Sequence, residues 1–290
     1  IRQRVEKESN GRIKMRLFMG GVLGGELEMV QDILNEGRLD GGGYTTGSIA
    51  SAAKLPELSV MELPFLFDNL PEADYILDNV LYEDFFNILK KKGLIVTMWS
   101  ENGWRNFGTK MEPATTPEAL AKHRMRVQQN EVHQNMYKAL GVSAEPIPGP
   151  EVLNALKTGM VDGFDNSDLY AQAAGMVEHI KHWTYSQHIY QPAAIVYSRK
   201  VWEEMPPDLR TVVKGNRIQE TAVARSLVRA LGSTLRQNFI DMGISSNELT
   251  PAQRKAFASK TRIVHDQYAE KYGRVMLDKI YQAQKEYRAK

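Results

Sequence analysis

The chain reads as an α/β protein, and three observations carry that reading. Strand-length apolar runs alternate with segments of helical period along the whole chain. Glycine or proline punctuates the changes from one to the other. The composition, 42% hydrophobic and 25% charged, is that of an ordinary globular protein. At 290 residues two domains are the default, and the alternation favours largely parallel sheets.

In order, the first ten residues read as the end of a helix stopped by Asn10-Gly11, residues that accept a left-handed backbone cheaply. Ile13 to Phe18 alternates like a strand, and Glu26 to Asn35 carries Leu27, Val30, Ile33 and Leu34 at helical spacing, together a βαβ start. Asp40 to Gly47 reads as a glycine-rich turn, and Pro64 keeps Leu63–Phe67 out of a central strand. One or two helices are expected over Pro71 to Leu89, then a buried strand over Leu94 to Trp99 that ends at Glu101-Asn102-Gly103. Thr116-Pro117-Glu118 starts a short helix, with a capping threonine and proline at the first helical position. Next come a strand at Arg124–Val127, helices over Glu131–Leu140 and Glu151–Thr158 closed by Gly141 and Gly159, and strands at Val161–Phe164 and Gln191–Ser198. Asp208 to about Asn238 reads as one long helix able to brace two domains; a short strand near Ile244 and terminal helices from Thr250-Pro251 finish the chain.

Composition excludes several function classes. With 37 basic against 35 acidic residues there is no global field for nucleic acid or an anionic membrane, so charge recognition must be local. The absence of cysteine removes disulfides and thiolate metal or redox chemistry. The longest apolar runs, such as Gly93 to Trp99, fall far short of the roughly 20 residues that span a bilayer. The cluster from Gly20 to Gly25 lacks both the Gly-Lys-Ser/Thr ending of a phosphate loop and the dinucleotide spacing, so it reads as a structural turn. Gly41-Gly42-Gly43 fits either a plain turn or a close approach of backbone to ligand. His179 and His182 stand three apart, but no HExxH-type carboxylate accompanies them, and no Gly-x-Ser-x-Gly elbow supports a serine hydrolase. Neither a metal nor a cofactor is expected.

Two arginines stand out. Arg105 follows a strand, and Arg126 is embedded in the apolar run Met125-Arg126-Val127. A strand that buries its neighbours buries the guanidinium too, and a buried guanidinium needs an anion. That anion is either an internal Asp or Glu or the carboxylate of a ligand, which the planar fork of arginine matches in two places.

Taken together, these segments resemble a family. Asn10-Gly11-Arg12-Ile13-Lys14, Leu23-Gly24-Gly25-Glu26, Gly37-Arg38-Leu39-Asp40, Leu63-Pro64-Phe65-Leu66-Phe67, Asn102-Gly103-Trp104-Arg105, Thr116-Pro117-Glu118-Ala119-Leu120, Arg124-Met125-Arg126-Val127, Leu140-Gly141, Glu151-Val152 with Ala155-Leu156, and Gly159 through Asn166 follow one another as in the DctP-type substrate-binding proteins of tripartite ATP-independent periplasmic (TRAP) transporters. The resemblance covers nearly the whole chain.

It implies a two-domain clamp of the periplasmic-binding-protein type (type II-like), with crossing strands and a long bracing helix, that closes by hinge motion on an organic acid and catalyses no reaction. The boundaries expected are 1–103 plus 192–230 for domain I and 104–191 plus 231–263 for domain II, with 264–290 as C-terminal helices on the body. Arg126 matches the arginine that pairs with the substrate carboxylate, and Asn166 an asparagine that hydrogen-bonds the ligand. Asp165 stands where the family usually has Glu. Arg105 matches a second arginine that reaches the acid in some members. Tyr44, Trp104, Trp183 and Tyr190, with Thr45 and Glu26, are candidates for the cleft walls, although packing serves each equally well. Gly149 stands where sialic-acid binders carry an aromatic residue, which argues against that ligand. The implied partners are the TRAP membrane permease subunits, the implied location is the periplasm, and a monomer is expected. A signal peptide and the family's first strand are expected to precede Ile1. A sensor subunit for a membrane kinase, or an enzyme of small organic acids, are the alternatives; the second lacks a spaced acid–base pair.

Overall fold

The computed structural model describes residues 1–289. Its strands are Gly41–Thr45 (β1), Leu94–Thr109 (β2), Arg124–Val127 (β3), Ser143–Pro146 (β4), Gly163–Asn166 (β5), His182–Ser198 (β6) and Ser245–Glu248 (β7). They form one sheet in the order β1-β6-β2-β5-β3-β4, with β7 also on β6. The sheet is mixed, not largely parallel: β1/β6, β2/β6 and β2/β5 are antiparallel, while β3/β4, β3/β5 and β6/β7 are parallel. Alternation of helix and strand cannot reveal this, because the antiparallel pairs all involve β2 and β6, whose neighbours are distant in sequence.

Both long strands exceed their expected lengths. Glu101-Asn102-Gly103 does not end β2. It is a bulge between Glu101/Pro192 and Gly103/Gln191, with Gly103 at φ +95°, so one residue is looped out and pairing resumes. β6 likewise begins at His182 instead of Gln191. The stretch Asp40–Gly47 is no turn: Gly41–Thr45 pairs with Tyr197–Ala193, and Thr46–Ala53 is a helix. Here the glycines serve close packing. A Cβ on Gly41 would meet the Tyr197 ring at 2.6 Å, and one on Gly43 would meet Ile195 Cδ1 at 2.9 Å.

Ile13–Phe18 forms no strand among the described residues, so the βαβ start is absent there. Side chains take its amide protons instead, Ile13 N–H donating to Ser9 Oγ and Met15 N–H to Glu6 Oε1. The expected long helix is three: Pro207–Lys214, Arg217–Ala230 and Gly232–Asp241. Gly215 at φ +57°, ψ −156° breaks the first, and Asn216 caps the second by accepting from Gln219 N–H. The middle helix braces β2: Thr221 Oγ1 accepts from Trp99 N–H at 3.2 Å, and Arg229 pairs with Glu101 and Asp74. The short strand is Ser245–Glu248, just past Ile244. The strand expected at Val161–Phe164 runs instead from Gly163 to Asn166; Gly141 and Gly159 stand at φ +72° where helices end, as expected.

Three of the four buried clusters among the described residues make up most of the body. One joins the N-terminal helices and the β1/β6 edge to Leu94–Trp99 and the C-terminal helices Pro251–Tyr272 and Val275–Arg288. The second lies between Ile147–Tyr185 and Phe239–Ile244, and the third between Phe107, Met125, Val127, Met136, Tyr137 and Phe257. The helix Pro251–Tyr272 starts with a reciprocal capping box between Thr250 and Gln253. Thr250→Ala should lower unfolding free energy by about 1 kcal/mol, read as a lower urea midpoint with ligand affinity unchanged.

Candidate functional site

The chain concentrates buried polar groups where β2, β3 and β5 meet. Strand alternation sends Met125 and Val127 into the third core cluster and Arg126 to the opposite face. There Arg126 is only 4% exposed, and its one hydrogen bond runs from Nε to Ile147 O at 2.8 Å. Among the described residues no carboxylate lies in ion-pair contact with it. Burial, and then repulsion from Arg105, pushes its pKa down to about 10.

Arg105, 1% exposed, is compensated inside the protein. Its Nε donates to Asp165 Oδ2 at 2.5 Å and its Nη1 to Gln191 Oε1 at 2.7 Å. The same Asp165 accepts from Tyr137 Oη through Oδ1 at 2.8 Å and faces His188 Nε2 at 3.3 Å. Burial alone would raise the Asp165 pKa; Arg105 and His188 hold it well below the usual carboxylate range. His188 stacks on Phe107 at 4.1 Å, with Nδ1 against the Ser186 hydroxyl, and burial takes its pKa down to about 4 although Asp165 opposes this. So Arg105 holds Asp165, and Arg126 is left without an ion-pair partner among the described residues.

Asn166 ends β5 beside this pair. Its Oδ1 accepts from Asn102 Nδ2 at 3.0 Å and from Ser167 N–H at 2.9 Å, which directs its amide donors away from them. A hydroxyl-rich wall faces it from β1 and the next helix. Thr45 Oγ1 donates to Glu26 Oε2 at 2.5 Å, and Gln128 Nε2 reaches Thr45 Oγ1 at 3.2 Å and Ser48 Oγ at 3.0 Å. Burial raises the Glu26 pKa against these hydrogen bonds. Gln191 completes the belt, donating to Glu62 Oε2 at 2.7 Å and to Gln128 Oε1 at 2.8 Å, and Glu62 meets His133 Nε2 at 2.7 Å. Above the belt the glycine-rich loop touches the proline-rich one: Cβ atoms on Gly21 and Gly25 would meet Pro150 Cγ at 2.8 Å and Pro148 Cβ at 3.3 Å.

Of the residues singled out from sequence, Arg126, Arg105, Asn166, Thr45 and Glu26 thus belong to this belt. The four aromatic candidates are placed otherwise, and none hydrogen-bonds to the arginines. Tyr44 lies in the first core cluster with its phenol over Gly42. Tyr190 donates to Glu101 Oε2 at 2.9 Å and Trp104 meets its ring edge at 5.5 Å. Trp183 stacks on Phe239 at 4.8 Å and donates to Asp168. Gln128 and Gln191 escaped the sequence reading, although Gln128 stands two residues beyond Arg126 and alternation assigns it the same face. Among the described residues no three His, Asp or Glu side chains are grouped to hold a metal ion; His182 Nε2 faces Met111 O.

Residues 1–271 match the family model for bacterial extracellular solute-binding proteins, family 7, DctP. The chain belongs to this family. Curated relatives include a solute-binding protein of Chromohalobacter salexigens, 25% identical over 92% of this chain and 78% of its own, and the C4-dicarboxylate-binding periplasmic protein DctP of Rhodobacter capsulatus, 26% identical over 92% and 80%. Among solved structures, the sugar acid binding protein of Advenella mimigardefordensis in complex with galactonate superposes with TM-score 0.92 at 28% identity, over 98% of this chain and 91% of that one. A TRAP periplasmic solute-binding protein of Sulfitobacter sp. with bound β-D-galacturonate gives 0.90 at 25% identity, over 98% and 92%. This family 7 receptor therefore has the two-domain α/β clamp that the resemblance implied.

Two predictions follow from the buried charges. Asp165→Asn leaves Arg105 uncompensated and should destabilise the receptor by about 3–5 kcal/mol, seen in denaturant unfolding. His188 and His265 both have pKa values lowered to about 4, chiefly by burial. Unfolded histidine titrates near 6.5, so between these values the unfolded chain binds more protons and acid weakens the fold. Urea midpoints should fall steadily from pH 6.5 to pH 4, and His265→Gln should make that slope shallower. A flat profile would contradict the burial of these rings as neutral groups.

Proposed function

We propose that this receptor captures a monocarboxylate sugar acid, an aldonate or uronate, in the periplasm and delivers it as a monomer to a TRAP membrane permease. The observation that carries the reading is the charge count at the cleft: Arg126 is a buried guanidinium without an ion-pair partner among the described residues, while Arg105 is held by Asp165. A carboxylate ligand supplies the missing charge and takes two parallel hydrogen bonds from the fork. A second carboxylate on the ligand would meet Arg105 already neutralised and would approach the buried acid Glu26. Hydroxyls suit the rest of the belt, where Asn166 donates, Glu26 and Gln128 Oε1 accept, and Thr45 and Ser48 do either. The acids named for the solved relatives, galactonate, β-D-galacturonate and, for a Polaromonas protein of 26% identity, D-erythronate, have this chemistry.

The lobes of the clamp are assigned as 1–103 plus 192–230 and 104–191 plus 231–263, so that β2 and β6 cross between them and the C-terminal helices from residue 264 rest on the first lobe. Closing brings Glu26 and Thr45 from one lobe against Arg126 and Asn166 from the other. No acid–base pair faces the ligand carboxylate in this arrangement, which suits capture and release.

The test is a thermal-shift and calorimetric panel of aldonates, uronates, C4-dicarboxylates and the neutral sugars. A ligand present at a hundredfold excess over its Kd should add about 2.7 kcal/mol of stability. Sugar acids should give that shift, neutral sugars none, and C4-dicarboxylates a smaller one. Arg126→Ala should abolish binding, and Arg126→Lys, which keeps the charge and loses the fork, should weaken it by about tenfold or more. A response to dicarboxylates stronger than to every sugar acid would reject the monocarboxylate assignment.

A further inference from the structure

Tyr170 has no part in the site as described so far, and its position is unusual for a half-exposed aromatic residue. It lies on the helix Asp168–Ala173 that follows β5, four residues after Asn166. Its backbone is tied to the site: Ser167 Oγ accepts from Tyr170 N–H at 3.2 Å and donates to Asn102 Oδ1 at 2.8 Å, and Asn102 in turn donates to Asn166. The phenol reaches across to the proline-rich loop, where it rests on Gly149; a Cβ there would stand 2.7 Å from Tyr170 Oη and 3.6 Å from Cζ. Two residues earlier in that loop, Ile147 O holds Arg126 Nε. Electrostatically Tyr170 feels both Arg126 and Glu26, and among the described residues its hydroxyl makes no hydrogen bond.

We propose that Tyr170 is a specificity-determining ligand contact whose hydroxyl, seated on Gly149, donates a hydrogen bond to an oxygen of the acid held by Arg126. The inference rests on the sugar-acid reading above. The phenol touches Gly149 at its tip, and the backbone amide that carries it is held by Ser167, which places the ring between the proline-rich loop and the end of β5. Its hydroxyl is a donor that remains neutral, since burial raises its pKa, with Glu26 adding to the effect. It therefore offers one proton in the neighbourhood of Arg126, reachable by a ligand with a carboxylate or hydroxyl oxygen there. Gly149 is a part of the same device. Its φ lies outside the left-handed region, so an added methyl acts through space and not through backbone strain.

The experiment measures Kd by calorimetry for the acid that wild type binds most tightly, in wild type, Tyr170→Phe, Gly149→Ala and the double variant, with Arg126→Ala as the control for the carboxylate site. Tyr170→Phe should weaken binding by about tenfold, the range of one hydrogen bond to a charged or polar group, with the melting temperature of the ligand-free protein unchanged. Gly149→Ala should weaken binding similarly by displacing the phenol, and should cost little further in the Tyr170→Phe background, where the clashing oxygen is gone. Kd within twofold of wild type in Tyr170→Phe, with binding still lost in Arg126→Ala, overturns this proposal and leaves the sugar-acid reading standing. Failure of wild type to bind any acid overturns both. Equal losses that multiply independently in the double variant would assign Gly149 a separate role and refute the shared device.

Discussion

The pairing of Arg105 with Asp165 sets the terms for the whole cleft. Both side chains are almost completely buried, their contact is 2.5 Å, and Tyr137 and His188 occupy the remaining acceptor positions of the carboxylate. A buried ion pair of this kind contributes little net stability, but removing one partner is expensive. It also fixes the electrostatic balance nearby. With Asp165 committed, the second guanidinium has, among the described residues, only the Ile147 carbonyl, and its need for an anion is what the proposed recognition rests on. On that proposal, binding strength and selectivity for acids would both depend on a contact that need not touch the ligand.

The two long strands make this arrangement possible. Arg105 comes from β2, Asp165 and Asn166 from β5, Gln191 from β6 and Arg126 from β3, so four strands of one sheet place the charged groups and the sheet register fixes their spacing. The bulge at Gly103 lies between the part of β2 that packs in the first core cluster and the part that carries Arg105. Extra backbone at that point lets a strand change direction without giving up its ladder. The helix Arg217–Ala230 then ties the first part down through Thr221 and Arg229.

Much of this was legible in the sequence, and the failures have physical causes. Arg126 could be found because an arginine between Met125 and Val127 must go somewhere costly. Local stops at Asn10-Gly11, Gly141 and Gly159 were readable because left-handed backbone is a property of the residue itself. Lengths and directions of strands were not: Gly41–Thr45 looks like a turn until Tyr197 and Ile195 are packed against it, and Gly103 looks like an end until Gln191 pairs across it. The break at Gly215 was passed over because helical spacing continues on both sides of it. The aromatic candidates were attractive as walls, but Trp183 and Tyr190 have indole and phenol groups satisfied by Asp168 and Glu101 within the body. Sequence proximity to a site says nothing about which face a side chain occupies once bulges shift the alternation.

The contact between Gly21 and Gly25 on one loop and Pro148 and Pro150 on the other is made largely by apolar atoms, with the Glu28 carboxylate beside Gly25. Were these loops to part for a solute, two unlike forces would act on its capture. Attraction of an anion toward Arg126 is Coulombic and weakens as salt is added, whereas parting the glycine–proline seam is a matter of van der Waals contact and water, to which simple salt is nearly indifferent. Added salt would then slow the filling of such a receptor, while the apolar part of the seam would contribute to its residence time a share that salt leaves nearly unchanged.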